Sequence, residues 1–221
     1  MSDLSAKILP EHFPMLPPAR VYPITDTRLS GLTHAEQVAR LVRGGAILIQ
    51  LREKHLPPRA FFEQAEQAIA VAHANGARII INDRVDIALA LAADGVHLGQ
   101  DDMPPAAARA LLGGQALIGF STHTLQQALH ARDLPIDYLA VGPIFQTTTK
   151  ANPDLPIGLA GLTEIRAAIG DLPLVGIGGI TASNVRITLE AGASCVAVIS
   201  AALTSPDGIS AAMKDLITAS Q

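Results

Sequence analysis

The chain has 221 residues, of which 49% are hydrophobic and only 16% charged, a balance that excludes a disordered polypeptide. Sixteen Lys and Arg against 20 Asp and Glu give a formal net charge of −4, so the clustered positive surface of a nucleic-acid binder is not expected. The length suits one domain. The single cysteine, Cys195, permits no internal disulfide and fits a reducing compartment.

In chain order, residues 1–19 come first, with Pro10, Pro14, Pro17 and Pro18 and no clean periodicity, and they read as an N-terminal extension. Residues 20–221 then alternate short aliphatic runs with Ala- and Leu-rich stretches. Strands are expected at 20–25, 47–53, 78–82, 95–98, 117–121, 137–142, 173–177 and 195–199. Helices are expected at 34–44, 57–75, 84–93, 104–112, 124–132, 159–169, 181–191 and 207–219. The strands are apolar nearly throughout, as they are when both faces of a parallel sheet are covered. Eight strand–helix units, with no Gly-rich fingerprint after the first strand, favour a single-domain TIM (β/α)8 barrel over a doubly wound sheet. The one long connection, 144–158, carries Thr147, Thr148, Thr149 and Lys150. A loop of this length in a compact fold is usually functional.

In such a barrel the chemistry gathers at the C-terminal ends of the strands. The second strand closes on Gln50, Arg52 and Lys54, which share a face if the strand runs to 53, and this cationic face suits an anion. Glu53 between them reads as a strand end fraying into solvent. The third strand ends at Asn82 and Asp83, and the fourth leads to Asp101 and Asp102. Two carboxylates on one rim suit Mg2+, which keeps its waters and takes further ligands from substrate phosphates. Each could instead cap the helix that follows. The fifth strand ends at Ser121 and His123. Ser121 could donate to a phosphate, while His123 reads first as a surface or capping residue. His97 and Cys195, inside strands, read as a satisfied core histidine and a packing thiol. The seventh strand ends in Gly178 and Gly179, expected to open the next helix, and the eighth in Ile199 and Ser200. These two loops form the usual phosphate cradle of such barrels. A diphosphate site with a metal and a second phosphate site together suggest a transferase that joins two small molecules.

The segments Tyr22–Asp26 (YPITD), Gln50–Lys54 (QLREK), Asn82–Arg84, Gly95–Met103 (GVHLGQDDM), Gly119–His123 (GFSTH), Gly142–Lys150 (GPIFQTTTK) and Ile177–Ile180 (IGGI) occur in one order over residues 20 to 205. Together they resemble the thiamine-phosphate synthase (thiamine-phosphate pyrophosphorylase) family. The resemblance implies coupling of 4-amino-5-hydroxymethyl-2-methylpyrimidine diphosphate to 4-methyl-5-(2-hydroxyethyl)thiazole phosphate, with Mg2+, to give thiamine phosphate and pyrophosphate. It implies that Gln50, Arg52, Lys54, Asn82, Ser121 and Lys150 hold the pyrimidine diphosphate. Asp83 and Asp102 would bind Mg2+, and Thr147, Thr148, Thr149, Gly179, Ile199 and Ser200 would face the thiazole phosphate. Arg52, Lys54, Lys150 and Ser121 would carry catalysis. Pro23, Phe120 and the long lead-in of 19 residues depart from the family pattern, away from these contacts.

Three rivals share the fold. A thiazole tautomerase relative would keep the phosphate cradle without the diphosphate set, and His123 would then be the residue to watch. A non-catalytic phosphometabolite-binding barrel would gain little from a metal at a leaving group. An aldolase would want a lysine inside the barrel, where none is expected. No apolar run reaches the roughly 18 residues of a membrane span, and the first residues lack the order of a signal peptide. A cytoplasmic protein with small phosphorylated substrates is expected, with no nucleic-acid or membrane partner and with a homo-oligomer left open.

Overall fold

The aliphatic runs of the sequence become eight short strands in the computed structural model, which describes residues 18–147, 155–203 and 205–221. They are β1 (Val21–Thr25), β2 (Leu48–Leu51), β3 (Arg78–Asn82), β4 (Gly95–Leu98), β5 (Leu117–Thr122), β6 (Tyr138–Val141), β7 (Leu174–Ile177) and β8 (Cys195–Val198). Each pairs in parallel with the next, and β8 pairs with β1, so the sheet closes into the expected barrel.

Strand alternation sorts the core into two layers. In β3, Ile79 and Ile81 face outward under the helices while Ile80 faces the barrel axis. The interior layer also takes Tyr22, Ile24, Leu48, Leu117, Tyr138, Ala140, Val175, Cys195 and Ala197. Cys195 is buried in this layer, and burial pushes its thiol up to about 12, in keeping with a packing role. The same parity carries Gln50, Asn82, His97 and Ser121 toward the axis near the C-terminal ends of their strands.

The outer ring comprises α1 (Thr27–Ser30), α2 (His34–Arg43), α3 (Pro58–Ala74), α4 (Val85–Ala90), α5 (Pro105–Leu112), α6 (Leu125–Ala131), α7 (Gly158–Ile169), α8 (Val185–Glu190), α9 (Ser200–Leu203) and α10 (Ile209–Ala219). Local chemistry sets their starts. Thr33 and Glu36 form a reciprocal capping box at α2, and α3 and α5 begin with proline in the first turn. Val38 and Leu41 of α2 are fully buried against the sheet; each such side chain contributes about 2 kcal/mol.

Three details differ from the sequence reading. The helix after β7 begins at Val185 and not near 181, because Thr181 and Asn184 close a side-chain turn: the Thr181 N–H donates to Asn184 Oδ1 at 2.7 Å. Two short helices, α1 and α9, were not expected; α1 is nucleated by Asp26, whose carboxylate accepts from the N–H groups of Arg28 and Leu29. β2 stops at Leu51. Of the expected N-terminal extension, 1–17 lie outside the described residues, and Ala19 is buried against the barrel interior.

Candidate active site

The loop after β2 turns on Glu53. Its side chain is only 2% exposed, so the expectation that it frays into solvent is wrong. The carboxylate accepts from the N–H groups of His55 and Leu56 at 2.7 and 3.1 Å and from the Thr27 hydroxyl at 2.8 Å. Burial alone would raise its pKa, but these hydrogen bonds outweigh that and hold it below the usual carboxylate range. The turn ends the strand, so Gln50, Arg52 and Lys54 do not share one strand face as expected. Gln50 stays inside the barrel, Arg52 reaches Asp26 at 3.1 Å, and Lys54 swings over to form an ion pair with Asp83.

Asp83 sits at the end of β3 with φ 61°, a left-handed conformation that a short polar residue tolerates better than most. Its N–H is held by the His97 carbonyl at 2.8 Å. Its carboxyl meets both the Lys54 ammonium and the Asp102 carboxyl. Burial pushes the Asp83 pKa up, Lys54 opposes that, and Asp102 adds to it. Asp102 also accepts from the Gly99 N–H at 2.6 Å. Neither carboxylate caps a helix: α4 follows Arg84 and α5 follows Pro104, both without a side-chain cap. The capping alternative therefore falls, and the two strand ends bring the carboxylates together.

Asn82, beside Asp83, is 8% exposed, and its Nδ2 has no hydrogen-bond partner. A buried amide N–H2 left unmade costs about 1–3 kcal/mol, which an acceptor on a ligand would recover. Across the mouth, Ser121 Oγ lies 2.8 Å from His97 Nε2. His97 Nδ1 lies 3.0 Å from Tyr138 Oη, so this is the satisfied histidine expected, and burial lowers its pKa to about 4. His123 Nδ1 is held by the Gly142 carbonyl at 2.7 Å.

The opposite wall is built from two loops locked together. The N–H groups of Ile144 and Phe145 donate to the carbonyls of Ile177 and Gly178 at 2.8 and 3.0 Å, joining the loop after β6 to the C-terminal end of β7. Gly179, with φ 65°, allows this approach; a Cβ there would lie 2.6 Å from the Gln146 carbonyl oxygen. The far end of the long connection is pinned by Ile157 and Gly158, whose N–H groups donate to the carbonyls of Pro143 and Ile144. Thr147 lies at the edge of this wall, while Thr148, Thr149 and Lys150 are outside the described residues. Ile199 is half-buried at the end of β8, and Ser200 is exposed and opens α9.

Sequence reasoning missed Asp26, Tyr22, Tyr138 and the inward role of Glu53. Inward parity of two tyrosines was the available clue, since an aliphatic interior has no partner for a hydroxyl. A cleft of about 370 Å3 at the other end of the barrel, bounded by Arg20, Ser194 and Gln221, has its cations already engaged: Arg20 donates to the Ser220 carbonyl and Arg186 pairs with Glu190.

A sequence profile described as thiamine monophosphate synthase matches residues 21–202. The chain belongs to that family. A thiamine-phosphate synthase of Chloroflexus aurantiacus is 45% identical to it over 205 residues, which is 91% of this chain and 94% of the relative. A thiamine phosphate pyrophosphorylase structure from Pyrococcus furiosus superposes with a TM-score of 0.82 at 36% identity, covering 92% of this chain and 96% of the other. Phosphoribosyl anthranilate isomerase from Thermotoga maritima, at 16% identity and a TM-score of 0.66, shares the barrel alone. The thiamine monophosphate synthase family places the chain among the transferases of thiamine biosynthesis.

Proposed function

We propose that this synthase-family chain joins 4-amino-5-hydroxymethyl-2-methylpyrimidine diphosphate to 4-methyl-5-(2-hydroxyethyl)thiazole phosphate, forming thiamine phosphate and releasing pyrophosphate. The observation that carries the reading is the facing pair Asp83 and Asp102 beside the Lys54 ammonium, at the rim where such barrels act.

The donor set fits Mg2+. Two hard carboxylate oxygens are few for a resident cage, and among the described residues no three His, Cys, Asp or Glu side chains gather as a metal site. Mg2+ is commonly held by one or two carboxylates and completed by substrate phosphates and water. When bound by Asp83 and Asp102, it supplies positive charge to a departing pyrophosphate.

The chain's own groups do the rest. Arg52, Lys54, Lys150 and Ser121 hold the diphosphate and oppose the charge it gathers, while Gln50 and Asn82 help hold the rest of the pyrimidine substrate. Cleavage of its C–O bond leaves a cation on the pyrimidine methylene, which the amino-substituted ring delocalises. Cations placed where the leaving group gathers charge favour this departure over the ground state. Thr147, Thr148, Thr149, Gly179, Ile199 and Ser200 hold the thiazole phosphate so that the thiazole nitrogen faces that methylene, a contribution of proximity. No protein nucleophile is required. Such chemistry suits the cytoplasm, where a single buried thiol stays reduced.

Asp83→Asn and Asp102→Asn test the assignment. Each is expected to lose most of its Mg2+-dependent thiamine phosphate formation, about a hundredfold, while its thermal melting stays close to that of the wild type. Wild-type rates and an unchanged Mg2+ requirement in either variant would overturn it.

A further inference from the structure

Beneath the rim, five side chains from five strands cross the barrel in one hydrogen-bonded line. Gln50 Nε2 lies 3.1 Å from Tyr22 Oη, and Tyr22 Oη lies 3.1 Å from Tyr138 Oη. Tyr138 Oη lies 3.0 Å from His97 Nδ1, and His97 Nε2 lies 2.8 Å from Ser121 Oγ. The rings are packed as well as bonded: Tyr22 meets Tyr138 edge-on at 6.1 Å, and His97 stacks on Tyr138 at 5.5 Å. Room for the Tyr138 ring comes from Gly119, where a Cβ would lie 2.0 Å from Tyr138 Cζ.

A line of single-proton groups has one coherent direction once an end is set. An amide N–H2 can only donate, so Tyr22 Oη accepts from Gln50. A second bond accepted there from Tyr138 would leave the proton of the buried Tyr22 hydroxyl without a partner, so that proton goes to Tyr138, and the one Tyr138 proton goes to His97 Nδ1. His97, with the Nδ1 lone pair taken by Tyr138, carries its proton on Nε2 and gives it to Ser121 Oγ. The Ser121 oxygen is thereby committed as an acceptor within the protein, and its own proton is left for something outside the line.

We propose that this chain of hydrogen bonds sets the polarity of Ser121, so that its hydroxyl serves as a donor to the bound pyrimidine diphosphate, with His97, Tyr138 and Tyr22 as positioning residues for the reaction. The inference rests on the proposed placement of Ser121 and Gln50 on that substrate. A hydroxyl that already accepts a hydrogen bond is a stronger donor, and bonds in a buried row polarise one another. A donor fixed before the substrate arrives requires no reorganisation as negative charge develops. Gln50 stands at both the substrate and the head of the line, so the direction of the row is set from within the site.

Two measurements on the full-length protein test this. Nitrogen NMR of histidine-labelled protein, with the His97 resonances assigned by their loss in His97→Gln, reads the tautomer directly. Protonation at Nε2 with a bare Nδ1 is expected; predominance of the Nδ1-protonated form, or an even mixture, overturns the proposal. Tyr138→Phe removes one hydroxyl from the middle of the row. It is expected to lower kcat about tenfold with the thiazole phosphate KM unchanged, a loss of about 1.4 kcal/mol. In a Ser121→Ala background the same change should cost nothing further, because the residue it acts through is gone. An undiminished tenfold loss in that background means a packing effect, and the proposal falls while the site assignment stands. A wild-type rate in Ser121→Ala would instead remove Ser121 from the substrate site, and with it the reading on which the inference rests.

Discussion

His34 shows how a single buried side chain ties the rim together. It is fully buried at the start of α2, with Nδ1 2.8 Å from Thr25 Oγ1 and Nε2 3.4 Å from Glu53 Oε2. Burial lowers its pKa against the pull of Glu53. The sign of the linkage follows. As pH falls below the ordinary 6.5, the unfolded chain takes up a proton before the folded one does, so stability is full above 6.5 and declines beneath it. His97, lowered to about 4, adds to the same slope. The denaturant midpoint is therefore expected to fall between about pH 6.5 and 5, above the range where ordinary carboxylates titrate. His34→Gln should flatten part of that fall, and an unchanged slope in the variant would show that His34 is not held neutral.

Among the elements, β5 connects packing with chemistry. Its Gly119 leaves space for the Tyr138 ring in the interior, and Ser121 lies two residues further on the same face. Gly119→Ala is expected to cost about 3 kcal/mol in chemical denaturation, since a fully buried ring next to it has nowhere to move. A loss under about 0.5 kcal/mol would mean that the ring sits less tightly than the contact implies. The elements also show what could be read in advance. Strands with Ile79, Ile80 and Ile81 in succession announce themselves, because both faces are buried and no polar break interrupts them. The true start of α8 was not legible, because it depends on the Thr181–Asn184 side-chain turn and not on periodicity. Glu53 was misread for a related reason: its partners Thr27 and His34 come from elements that only the closed fold brings beside the β2 loop.

At the scale of the whole molecule, the barrel turns scattered motifs into one mouth. Parallel closure sends every strand's C-terminal end to the same rim, so Asp83 from β3 and Asp102 from beyond β4 meet even though each alone could have capped a helix. That convergence was legible from strand order. The row from Gln50 to Ser121 was not, because parity turns its tyrosines and histidine inward but does not say which strand's side chain each one meets. The chemistry proposed for this rim is a metal-assisted departure of pyrophosphate with the thiazole phosphate in place. Its most direct test is pyrophosphate release from the purified protein mixed with each substrate alone and with both, in Mg2+ and after chelation. Release that requires both substrates and the metal is predicted. Absence of release under all of these conditions, with thiazole phosphate still bound, would contradict it and leave a tautomerase relative or a binding barrel in its place.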